Sequence, residues 1–182
     1  MKLIKKLTKL VNTVNGTLYD GMRKDLEERA SWLDVKIDYK FPLQFSNLII
    51  NGYPKTGEVN QIHINLRMAM TPLEEIVDIA HEMGHVWQFY SECMGDFAEW
   101  MVYRELNHVM LIEQDAWIRS VRLLHEVGFE DWKIFRALAI RKFATYVHVS
   151  IDEDEARRAR VVEFAMHLDQ EVSKVMAEPI YA

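Results

Sequence analysis

His81, Glu82 and His85 stand in the pattern H-E-x-x-H within His81-Glu82-Met83-Gly84-His85. Four residues advance a helix by about 6 Å and about 400°, so imidazoles at i and i+4 lie one above the other and about 40° apart, near enough to chelate one ion. The intervening carboxylate points beside that ion, where it can activate a water as general base. The chemistry this predicts is zinc-assisted hydrolysis with Glu82 as the base. Cys93 is the single cysteine, so zinc sites built from two or more thiolates of one chain are excluded, and the metal must be held mainly by His and carboxylate.

A catalytic zinc site usually keeps three protein ligands, so one more must come from elsewhere in the chain. The metzincin continuation would place a glycine three residues and a histidine six residues after the second ligand; Gln88 and Ser91 stand there instead. The ligand is therefore expected from a following helix, where Glu92, Asp96, Glu99, Glu105, Glu113 and Asp115 are the acids and His108 the nitrogen alternative. Glu113 leads, 28 residues after His85, because Ala116 and Trp117 at i+3 and i+4 place it on an apolar, inward face. Asp115 points about 200° from Glu113 around the helix, toward solvent or a supporting role.

The elements that must position these groups follow from periodicity and caps. Thr71-Pro72-Leu73-Glu74 combines an N-cap, a first-turn proline and a capping-box acid, and starts a helix ten residues before His81. Ile76, Val77, Ile79, Ala80, Met83, Val86 and Phe89 surround that helix with apolar side chains, which predicts a central, buried element. Gly84, between the two histidines, weakens a helix interior by about 1 kcal/mol relative to Ala; its place there implies close approach by another backbone or helix. Upstream, Leu3 to Val14 reads as a basic amphipathic helix and Tyr19 to Leu33 as a second helix. Val35 to Phe41, Asn47 to Asn51 and Val59 to Leu66 read as strands of a small antiparallel sheet, the last two joined across Gly52 to Gly57 as a hairpin. Downstream, apolar periodicity predicts helices over Phe97 to Val127, Trp132 to Val147 and Ala156 to Val175, with breaks at Gly128 and from Ser150 to Asp154.

The fold class predicted is α+β, a small antiparallel sheet followed by a mainly helical part with the H-E-x-x-H helix central. Its 182 residues suit one domain over 1–182, with N-terminal helices and sheet over 1–66, active-site helices over 72–127 and C-terminal helices over 130–176. A hydrophobic fraction of 49% can bury a core. A net charge of −6 and a pI near 5.7 argue against general nucleic-acid binding. No apolar run reaches the about 18 residues of a membrane span, and lysines interleave the apolar residues at the N-terminus, unlike a signal peptide, so a cytoplasmic location is expected.

A short sheet, then a helix carrying His81-Glu82-Met-Gly-His85-Val-Trp-Gln, then a helix carrying Glu113-Gln-Asp-Ala-Trp, resembles the compact zincin metallopeptidases of gluzincin type. The branch it is most similar to is the ImmA/IrrE-like group of small zinc metallopeptidases common in bacteria and their phages. The resemblance spans about residues 59 to 124. It implies zinc on His81, His85 and Glu113, Glu82 as general base, a protein or peptide substrate, and a substrate-facing edge strand over residues 60–66 with His63 near the cleft. Tyr90, Tyr103, Tyr146 and His148 are the candidates to donate a hydrogen bond to a tetrahedral oxyanion. The alternative function is a non-catalytic zincin-fold binding or regulatory protein acting on a protein partner, which would have no need of Glu82.

Overall fold

The computed structural model describes residues 18–41, 46–53, 58–67, 70–91, 106–151 and 153–178. The fold is α+β: helix α1 (18–32), strands β1 (Val35–Phe41), β2 (Asn47–Tyr53) and β3 (Glu58–Arg67), then helices α2 (Pro72–Ser91), α3 (Leu106–Glu126), α4 (Trp132–Ser150) and α5 (Asp154–Ala177). The expected helix over Leu3 to Val14 and the stretch from Phe97 to Glu105 lie outside the described residues. Among those described, no helix is long and apolar enough to cross a membrane.

The sheet departs from expectation. Its strand order is β1-β3-β2: β2 pairs antiparallel with β3, from Asn47↔Asn65 to Tyr53↔Glu58, but β1 pairs parallel with β3, from Val35↔Ile62 to Tyr39↔Leu66. The sheet is mixed rather than antiparallel, and β3 is its centre rather than a substrate-facing edge. Alternation marks a segment as a strand but says nothing of which strand lies beside it. The central place goes to β3 because Ile62, Ile64 and Leu66 bury their side chains almost completely, and a strand with neighbours on both sides gives such residues the most cover. His63, on the opposite face, is bonded through Nδ1 to Asp38 of β1 at 2.6 Å, which ties it to the sheet and away from the cleft.

The start of α2 follows the capping box closely. Thr71 N–H donates to Glu74 Oε2 at 3.0 Å, and Glu74 N–H donates to Thr71 Oγ1 at 3.2 Å, two otherwise orphaned donors satisfied reciprocally. From Ile76 to Phe89 nearly every residue of α2 is buried, so this helix runs through the middle of the molecule. It packs on β2 and β3 on one side and on α3 on another, while α4 and α5 pack against α3 and each other. Helix α3 stops at Gly128, whose φ of +76° suits a residue without Cβ. Gly128 N–H reaches the His125 carbonyl at 3.0 Å and Phe129 N–H the Leu124 carbonyl at 2.9 Å, the paired bonds of a Schellman terminus. One continuous core joins the sheet to all five described helices, with Phe143 of α4 and Phe164 of α5 4.1 Å apart between ring centroids.

Candidate metal centre

Helix α3 reaches the histidines because of what α2 leaves out. A Cβ added at Gly84 would overlap the Ala116 carbonyl oxygen and lie 3.0 Å from its carbon. The two backbones therefore touch at this crossing, as the glycine between the histidines implied. One turn before Ala116 on the same face stand Ile112 and Glu113, and this brings the Glu113 carboxylate between the two rings.

His81 Nε2 lies 3.2 Å from Glu113 Oε2 and His85 Nε2 lies 3.5 Å from Glu113 Oε1; one donor atom from each residue fits within 4.8 Å of the others. A tetrahedral ion with ligand bonds near 2.1 Å needs its donors about 3.4 Å apart; each imidazole approaches one of the two Glu113 oxygens at about that distance, while the three-residue set as a whole is looser, within 4.8 Å. Glu113 Oε2 is buried without a hydrogen-bond partner despite its approach to His81, and such an atom is costly unless something else satisfies it. The donor set, two imidazoles and one carboxylate, suits zinc or a similar divalent ion. The group can thus hold a metal.

The electrostatics are those of a coupled, buried cluster. Burial depresses His81 below the ordinary histidine range, against the pull of Glu113. His85 feels the same burial, but Glu113 and then Glu82 outweigh it and hold His85 at about 9. Burial would raise Glu113, yet the two imidazoles keep it well below the usual carboxylate range. Glu82 is raised to about 8, first by burial and then by Glu113 and Asp78, with His85 and Lys142 opposing.

Beside these groups is a cavity of about 150 Å³ whose lining includes Ser46, Asn47 and Leu48 at the start of β2, Val109 and Ile112 of α3, and Tyr146 of α4, together with Glu82. Tyr146 is the one described oxyanion candidate on this cavity. Its hydroxyl bonds Glu113, and burial, followed by Glu113 and Glu82, holds it protonated far above the ordinary phenol range. Tyr90 instead donates to the Leu33 carbonyl at 3.3 Å, and His148 is exposed. Tyr103, Glu92, Asp96, Glu99 and Glu105 lie outside the described residues, as does the side chain of His108.

Several supporting groups were not legible beforehand. Trp117 stacks on the His81 ring at 3.9 Å and 21°, while His81 Nδ1 is buried with no hydrogen-bond partner, so this imidazole is held by a ring face. Asp78, one turn before His81 and 1% exposed, pairs with Lys142 of α4 and accepts from Ser46 Oγ at 2.7 Å. A buried acid on an apolar helix face was the available signal for Asp78. Asp115, expected toward solvent or in a supporting role, is half-exposed and accepts from Gln88 and Arg119. No family model, curated protein or solved structure matches this chain.

Proposed function

We propose that the protein is a zinc-dependent peptidase of gluzincin type, with His81, His85 and Glu113 as ligands and Glu82 as general base. The observation that carries this reading is the convergence of two imidazole Nε2 atoms on one carboxylate, at 3.2 and 3.5 Å, beside a second carboxylate that faces a cavity. Zinc bound there would act as a Lewis acid, polarising a peptide carbonyl and making water acidic enough to attack it.

The chain's own groups do the rest. Burial raises Glu82 to about 8 in the metal-free site, so it is largely protonated there at neutral pH; a dication held beside it would favour the ionised form, in which the carboxylate can take a proton from water and return it to the leaving amine. Tyr146, kept protonated at the cavity wall, donates to the oxyanion that develops on the scissile carbonyl. Leu48, Val109 and Ile112 give the cavity apolar surface, which favours a small apolar side chain next to the cleaved bond. The outer edge of β2 has no strand partner among the described residues and begins at the cavity with Asn47 and Leu48. An extended peptide would add there through main-chain hydrogen bonds, the role the family resemblance had implied for β3.

The test is metal analysis of protein purified without a nickel column, followed by a peptide-library cleavage screen. One equivalent of zinc is expected, with most of it lost in His81→Ala and in His85→Ala. Full zinc retention in both variants would overturn the site. Zinc bound normally, with no hydrolysis that Glu82→Gln removes, would favour a binding or regulatory protein instead.

A further inference from the structure

Gln88 lies one turn beyond His85, is 2% exposed, and has no part in the ligand set. Its amide makes three bonds. Oε1 sits 2.8 Å from His85 Nδ1, and Nε2 lies 2.8 Å from both the Ile112 carbonyl and Asp115 Oδ2. Asp115 Oδ2 also accepts from Arg119 Nε at 2.6 Å, and Arg119 donates onward to Ser91 Oγ at 2.9 Å.

The chemistry of these partners leaves the amide one orientation. A carbonyl and a carboxylate only accept, so the end of Gln88 facing them must be the NH₂, and the end facing His85 must be the oxygen. An amide oxygen only accepts, so His85 Nδ1 must carry a hydrogen. The atom left to face Glu113 and a metal is then Nε2. The carbonyl that Gln88 grips belongs to Ile112, the residue directly before Glu113, so the same amide pins α3 along its axis where the third ligand emerges. Gly84 and Gln88 on α2 thus meet Ala116 and Ile112 on α3, one contact by absence of a side chain and the other by a hydrogen bond.

We propose that Gln88 is the positioning residue of this centre: it commits His85 to ligation through Nε2 and holds Glu113 in register, with Asp115 and Arg119 fixing the amide from behind. This rests on the metal reading of the site, since the residue acts only through two of its ligands. Removing a group that orients a ligand in this way typically weakens metal binding by about 10-fold to 100-fold.

The experiment compares wild type, Gln88→Met and Asp115→Ala by zinc competition with a chelator at fixed pH, and by long-range proton–nitrogen spectra of the histidine rings in the zinc-loaded protein. Gln88→Met, close in shape but unable to accept or donate as the amide does, is expected to bind zinc about 10-fold to 100-fold more weakly and to lose the slowly exchanging His85 Nδ1 proton expected in wild type. A merely structural glutamine would lower the melting temperature and leave that proton in place. Asp115→Ala truncates a side chain that is 43% exposed, so it opens no cavity in the core, and is expected to weaken zinc by about 10-fold. Unchanged affinity in Asp115→Ala overturns the relay even where Gln88→Met does not fold, and a His85 ligated through Nδ1 overturns the orientation argument. Wild type that takes up no zinc overturns the metal reading and this inference with it. Wild type that binds zinc beside an equally tight Gln88→Met overturns the inference alone.

Discussion

Glu113 and Asp115 are two residues apart, and the difference between them is the sharpest prediction at the centre. Glu113 places both oxygens against imidazole nitrogens, whereas Asp115 holds the amide of Gln88 from the rim. Glu113→Ala should therefore weaken zinc far more than the about 10-fold expected of Asp115→Ala, as read by chelator competition. Glu82→Gln keeps the shape of the buried side chain and should retain the metal, while lowering turnover by about 100-fold to 10,000-fold on any substrate found. The same cluster sets a pH dependence. His85 in the metal-free chain titrates at about 9, so at pH 7 it is charged and must release a proton before it can ligate. Zinc affinity is expected to rise about tenfold per pH unit from pH 7 toward 9 and to flatten above it. Calorimetry in buffers of different ionisation enthalpy would register the proton released at pH 7.

Helices α2 and α3 form the working unit, and their crossing depends on one missing methyl group. Gly84→Ala gains about 1 kcal/mol of helix propensity, but the added Cβ meets backbone atoms of Ala116, which cannot swing aside as a side chain would. Overpacking of this kind typically costs about 1–3 kcal/mol, and a rigid backbone neighbour places this site at the upper end. The variant should be less stable in urea denaturation. It should also bind zinc more weakly, because parting the helices draws Glu113 away from both rings. Loss of stability with zinc affinity intact would show that Glu113 is positioned independently of the crossing.

Across the molecule, α4 is tied beneath the centre by the ion pair of Lys142 with Asp78, and Ser46 joins the entry of β2 to the same carboxylate. Lys142 also stands 6.0 Å from the centroid of the Trp117 ring that stacks on His81. Lys142→Met strands a buried carboxylate, a loss of about 3–5 kcal/mol in general. The lower end is expected here, because Lys142 keeps 20% of its side-chain surface in water. Asp78→Asn in the same chain removes the stranded charge while keeping a polar partner for Ser46, and should recover much of the stability in a denaturant titration. A double variant no more stable than Lys142→Met would mean that the lysine acts through packing rather than charge.

Much of this arrangement could be read along the chain, because the interactions that specify it are local. Helix α2 is legible from Thr71-Pro72-Leu73-Glu74 and its apolar spacing, and the two histidines from a four-residue interval, since a helix places i and i+4 together whatever surrounds it. Glu113 was legible as an inward acid from its neighbours Ala116 and Trp117, and Gly84 as a point of close approach, but neither could name its counterpart. Long-range assembly decided the rest. β3 became the central strand and β1 its parallel neighbour, although alternation had suggested an antiparallel sheet and the family resemblance an edge position for β3. Tyr146 rather than Tyr90 faces the cavity because α4 packs behind α3. Gln88 acquires its meaning only where its amide meets Asp115 and the Ile112 carbonyl, more than twenty residues away. Periodicity and caps involve a few neighbouring residues and are written in consecutive positions, whereas strand order and hydrogen-bond partners between helices depend on where distant segments come to rest.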